Sequence, residues 1–134
     1  MSNNRKKVFF TTIMCFTIML PMVANAASYT GLSYSLKRHV AGAKRSYSKG
    51  NINVTAYNCT TQNNGNNPSS NKFTISLYKD GLWSDTCIGS AQYKRDSWEP
   101  QTNSWTNMAA GKYYISISKS TDNCRIEGNI DITQ

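Results

Sequence analysis

The chain has 134 residues, of which 39% are hydrophobic, and its 15 Lys and Arg against 7 Asp and Glu give a net charge of +8. That length suits one domain, since domains commonly run about 100–150 residues. The basic excess directs attention to anionic partners: wall polymers, lipid headgroups or nucleic acid.

The first 26 residues combine Arg5, Lys6 and Lys7, an apolar run from Val8 to about Met22, and Ala24-Asn25-Ala26 at a break in composition. A basic head, a short apolar middle and an A-x-A exit describe a cleaved secretory signal peptide, so the mature chain is expected to begin at Ala27, secreted from the cytoplasm. A transmembrane anchor needs about 20 apolar residues. This run is shorter and is interrupted by Thr11, Thr12, Thr17 and Pro21. Cleavage leaves 108 residues with 12 basic and 7 acidic side chains, a net charge of +5, and no apolar stretch able to span a bilayer.

A first strand is expected at about 29–36. Lys37, Arg38, Lys44, Arg45 and Lys49 then place five cations in thirteen residues. The glycine-weakened segment 37–45 is too short for a stable helix and reads as a basic loop. From residue 51 the apolar period is two. Ile52, Val54 and Ala56 alternate with polar residues, as do Phe73, Ile75 and Leu77, then Tyr113, Ile115 and Ile117, and finally Ile126, Gly128, Ile130 and Ile132. Such alternation makes strands with one buried face.

Between these strands, Asn-rich 60–71 reads as a mobile loop, and Asp80-Gly81 as a tight hairpin turn. Further strands are expected at about 84–93 and 102–107, and a second hairpin joins 112–119 to 125–133. Seven or eight short strands and no convincing long helix predict an all-β fold, a small antiparallel β-sandwich over 27–134. Within it, 27–50 is a basic N-terminal part and 51–134 the main sandwich.

The stretch Trp105-Thr106-Asn107-Met108-Ala109-Ala110-Gly111-Lys112-Tyr113-Tyr114-Ile115-Ser116-Ile117, with Lys72–Lys79 as an earlier strand, resembles secreted bacterial β-sandwich modules of the pre-peptidase C-terminal type. The resemblance covers about residues 50–134. It implies a sandwich, a final polar hairpin and an accessory or binding role, and it supplies no catalytic residue. With the style of the leader, it points to a bacterial, Gram-positive source.

Three cysteines survive cleavage. If strands 51–59, 72–79, 84–93, 102–107 and 112–119 alternate in direction, Cys59 and Cys124 reach one end and Cys87 the other. That geometry favours a Cys59–Cys124 disulfide; were 94–111 one long loop, Cys87–Cys124 would be the better pair. The third thiol reads as a small buried hydrophobe, with a dimer bridged through Cys87 or a reactive thiol as alternatives. Spacings of 28 and 37 residues and one histidine, His39, argue against a metal site.

His39 stands among cations without an orienting acid, which argues against a triad. Asp80, Asp85, Asp96 and Glu99 read as solvated loop charges rather than a glycosidase pair. No enzyme, catalytic residue or cofactor is expected. Binding is the better-supported class. Trp83, Tyr93 and Trp98 are candidate exposed rings able to stack on carbohydrate, while Trp105 is assigned to the core. The basic patch Lys37, Arg38, Lys44, Arg45 and Lys49 would meet an anionic envelope polymer or a lipid surface, and nucleic acid ranks last. The sequence therefore reads as an extracellular or envelope binding protein. The alternative is an antimicrobial or toxin-like protein acting on anionic cell surfaces.

Overall fold

A computed structural model describes residues 26–134. The expected signal peptide, apart from Ala26, lies outside the described residues. Among the described residues nine strands follow in order: β1 (Ser28–Leu36), β2 (His39–Ala41), β3 (Arg45–Tyr47), β4 (Gly50–Gln62), β5 (Lys72–Lys79), β6 (Thr86–Lys94), β7 (Gln101–Met108), β8 (Gly111–Ser118) and β9 (Arg125–Thr133). They form two antiparallel sheets. The first has the order β1-β9-β4-β7, and the second β2-β8-β5-β6 with β3 also on β8. The basic segment expected as a loop thus supplies two edge strands, since β2 and β3 both pair with β8. Residues 28–36 are equally integral, because β1 pairs along the length of β9.

The period-two residues face each other between the sheets. Ile52, Val54, Ala56, Ile126, Ile130 and Ile132 of the first sheet meet Phe73, Ile75, Leu77, Tyr113, Ile115 and Ile117 of the second, and all are buried. Burying each large aliphatic side chain is worth about 1.5–3 kcal/mol. Trp105 closes the β6–β7 side, where a side chain at Gly89 would meet its indole Nε1 at 2.9 Å.

Connections mostly cross between sheets, and this corrects one hairpin. β8 belongs to the second sheet and β9 to the first, so 119–124 spans the sandwich rather than turning between neighbours. β5 and β6 do pair, with Lys79 opposite Thr86, but through a loop of residues 80–85 rather than a two-residue turn. Gly81 is required there by space: a side chain would run into the Ser84 carbonyl.

Segment 60–71 is also better held than expected. Thr60, Thr61 and Gln62 extend β4 against β9, and the Ser69 amide donates to Asp122 Oδ2 at 3.0 Å. Asp122 is the centre of a buried charged cluster that composition did not reveal. It accepts from Arg95 Nη1 at 2.7 Å and from Lys119 Nζ at 2.6 Å. Arg95 also donates to Lys72 O at 3.0 Å and Ser120 Oγ at 2.8 Å, while Lys119 reaches Lys37 O at 2.8 Å. The cluster ties four stretches of chain, at 37, 69–72, 95 and 119–122, together at one end of the sandwich.

The expected Cys59–Cys124 disulfide is not formed: Cys59, Cys87 and Cys124 are free thiols. The register gives the reason. Gln62 lies opposite Arg125, so Cys124 falls opposite position 63, four residues along β4 from Cys59. At about 3.3 Å per residue that is about 13 Å, beyond the roughly 7 Å Cα separation a disulfide spans. β7 is a strand, so the condition for the alternative Cys87–Cys124 pair is not met either. Cys87 is exposed on β6, not the buried hydrophobe expected of a third thiol.

Candidate functional site

β4 makes an irregular passage along β9. Tyr57 opposes Asn129 and Thr60 opposes Glu127, so Asn58 and Cys59 together face Gly128. This β-bulge is accommodated by a positive φ of 52° at Asn58, and bulges bend the strand that carries them. Tyr34, opposite Gly128 on β1, sends its ring inward across the glycine and donates from its hydroxyl to Cys59 Sγ at 3.2 Å. A side chain at Gly128 would lie 2.6 Å from the Tyr34 hydroxyl and 2.8–2.9 Å from its ring. Burial pushes the Cys59 thiol pKa up, against the opposing effect of the Tyr34 hydrogen bond.

On the β7 side of β4, the Cys59 backbone pairs with the segment that leads into β7. Its amide donates to Ser97 O at 2.8 Å and its carbonyl accepts from Ser97 N at 3.0 Å. The next residue is Trp98. Asp96 Oδ1 accepts from the Thr61 amide at 2.8 Å and Ser97 Oγ donates to Glu99 O at 3.2 Å, so the backbone on both sides is held. The indole is nevertheless 73% exposed.

Trp98 forms one wall of a concavity of about 520 Å³ on the outer face of the first sheet. Its other side chains come from Ser33 and Ser35 on β1, Asn58 and Thr60 on β4, and Glu127 and Asn129 on β9. These groups are oriented by one another. Glu127 accepts from Ser35 Oγ at 3.1 Å and from Gln62 Nε2 at 3.0 Å, while Arg125 Nη1 donates to Ser35 Oγ at 2.9 Å. Asn129 Nδ2 donates to Ser33 Oγ at 3.3 Å. A flat ring beside hydroxyls, a carboxamide and a carboxylate offers stacking area plus donors and acceptors at fixed positions. With Glu127 in its lining and Asp96 and Glu99 flanking Trp98, it is not a basic surface.

The expected aromatic trio therefore divides. Trp98 and Trp83 are exposed, but Tyr93 is a correction: it is 2% exposed and its hydroxyl donates to Val54 O at 3.0 Å. Gly89, Ala91 and Tyr93 lie on the inward row of β6, a signal readable from the alternation itself. The basic patch also divides. Lys37 and Arg38 sit in the β1–β2 turn, near the Asp122 cluster. Lys44 is ion-paired with Asp80 and Asp85, Arg45 lies over the Tyr29 ring at 4.4 Å, and Lys49 is in the β3–β4 turn. Since His39 opposes Ser118 and Arg45 opposes Tyr113 along β8, these cations line an edge rather than converge on one point. His39 Nε2 lies 2.6 Å from Ser116 Oγ on that edge.

No protein-family model matches the chain, and no curated protein matches it in sequence. Among solved structures the chain is similar to PliG of Aeromonas hydrophila, described as a periplasmic lysozyme inhibitor of g-type lysozyme. The TM-score is 0.44 and the identity 12%, over 87% of this chain and 91% of that one.

Proposed function

We propose that this is a small exported binding protein of the cell envelope, and that the outer face of its first sheet holds a neutral, polyhydroxylated glycan. The observation that carries this reading is Trp98, whose neighbour Ser97 is clamped by two backbone hydrogen bonds to Cys59 of the β4 bulge while the Trp98 ring stands exposed beside the Ser33, Ser35, Asn58, Thr60, Glu127 and Asn129 side chains. Sugar rings present apolar faces to aromatic rings and hydroxyls to groups of this kind, and a rigid platform loses little entropy on binding. The same lining disfavours a polyanion at this face, because Glu127 would repel it.

The test is co-sedimentation of residues 27–134 with insoluble chitin and with cellulose, two uncharged polyhydroxylated glycans. Binding by the unmodified chain that falls about tenfold or more in both Trp98→Ala and Glu127→Gln supports the reading, tenfold corresponding to about 1.4 kcal/mol. Adsorption to neither polymer, or adsorption indifferent to both substitutions, contradicts it.

A second reading, a toxin-like protein directed at anionic surfaces, is favoured by the exposed Leu82 and Trp83. Killing of sensitive cells by the purified chain supports it, and adsorption that persists at high salt without killing supports the binder.

A further inference from the structure

Leu82 and Trp83 are each 99% exposed at the apex of the β5–β6 loop, far along the sandwich from the Asp122 cluster. Single exposed hydrophobes are ordinary; two large adjacent ones wholly in water on a braced loop are not. The bracing is explicit. The Gly81 amide donates to Asp85 Oδ1 at 3.2 Å, Tyr114 Oη donates to Asp85 Oδ2 at 3.0 Å, and the Asp80 amide donates to Lys112 O at 2.9 Å. Lys44 bridges Asp80 and Asp85. Both loop carboxylates are thereby partly neutralised at the base, and the apex is left apolar.

Cations frame that base. Lys79 ends β5 and Lys112 lies in β8 beside the loop, and among the described residues neither forms an ion pair. Leucine gives no stacking surface for a sugar, whereas a Trp-Leu apex above lysines matches the boundary between anionic headgroups and acyl chains.

We propose that the Leu82–Trp83 apex is a membrane-surface anchor, with both side chains in the headgroup layer of an anionic bilayer and Lys79 and Lys112 against lipid phosphates. One shallow apex gives weak, reversible, salt-sensitive attachment, and it leaves the Trp98 face free.

The probe is a set of vesicles of phosphatidylglycerol mixed with phosphatidylcholine, compared with pure phosphatidylcholine, and the readout is co-sedimentation of residues 27–134. A brominated-lipid quenching arm uses a Trp98→Phe background, which leaves Trp83 as the exposed indole. The expected result is preferential binding to the anionic vesicles, weakened by salt and by Lys79→Gln with Lys112→Gln. It should fall about tenfold in the Leu82→Ser, Trp83→Ser double variant, with loss of quenching. Unchanged urea midpoints for these surface variants separate a lost contact from a lost fold. No association with anionic vesicles, or equal association of the double variant, overturns the proposal. So does a result in which the apex variants lose adsorption to cells but not to vesicles, which would assign the apex to a protein partner. Glycan binding through Trp98 does not enter this readout.

Discussion

Arg95 Nη1 donates to Asp122 Oδ2 at 2.7 Å with both side chains withdrawn from water, one exposed by 0% and the other by 3%. Lys119 holds the second carboxylate oxygen, so one acid answers two bases in the interior. Removing the acid strands both. Asp122→Ala should destabilise the fold by about 3–5 kcal/mol, the cost of leaving buried charge unpaired, measured as a shift in the urea midpoint. Ser120→Ala, which removes one bond to Arg95 and no charge, should cost about 1 kcal/mol.

The same carboxylate sets the acid limit of stability. Burial alone would raise its pKa, but hydrogen bonds from Lys119 and Arg95, with the amides of Ser69 and Cys124, outweigh burial and hold it far below the ordinary range. A group whose folded pKa is depressed stabilises fully above its unfolded value, about 3.9, and that stabilisation is lost as pH falls toward the folded value. Urea midpoints should therefore hold level down to about pH 4 and drop below it, and Asp122→Asn should flatten the drop. At the alkaline limit the sign reverses. Burial pushes Tyr47 up to about 12 and raises Tyr34 and Tyr93 as well. Their share of stability is complete below about pH 10 and declines as pH rises through the folded values.

How far the fold could be read depended on the range of the interaction. Ile52, Val54, Ala56, Phe73, Ile75, Leu77, Ile115 and Ile117 declare their inward row by local alternation, and all are buried as expected. Alternation says nothing about which sheet a strand joins, so β8 and β9, adjacent in sequence, read as a hairpin although they lie in opposite sheets. Asp122 reads as a turn residue within Ser-Thr-Asp-Asn because its partner Arg95 is 27 residues away. Trp98 could be picked out as an exposed ring from its charged neighbours. The bulge that positions it, and the groups gathered from β1, β4 and β9, depend on register and could not.

Thiol chemistry checks that register. Cys87 should react promptly with a thiol reagent in the native protein, while buried Cys59 and Cys124 should react only as urea exposes them. Recovery of a Cys59–Cys124 linked peptide from unreduced protein would contradict the roughly 13 Å separation derived from strand pairing.

Gly128 should tolerate no side chain while Tyr34 remains. Gly128→Ala forces a methyl against the Tyr34 ring, and overpacking of this kind costs about 1–3 kcal/mol in the urea midpoint. Combined with Tyr34→Leu, the additional cost of the methyl should largely disappear, a coupling that a double-mutant cycle reads directly.

Tyr93 and Trp98, equal candidates for surface recognition in the sequence, should separate experimentally. Tyr93→Phe removes the bond to Val54 O and should cost about 1 kcal/mol of stability with glycan adsorption unchanged. Trp98→Ala should leave the urea midpoint within about 0.5 kcal/mol of the parent and lower glycan adsorption about tenfold or more.

The most direct measurement is a titration of isotopically labelled residues 27–134 with soluble chitin oligosaccharides, followed by amide chemical shifts. Binding at the Trp98 face should concentrate the shifts at Ser33, Ser35, Asn58, Trp98, Glu127 and Asn129, with the Trp98 indole N–H moving as well. Shifts confined to the second sheet or to the basic edge from Lys37 to Lys49, or a spectrum unchanged by any oligosaccharide, would contradict it.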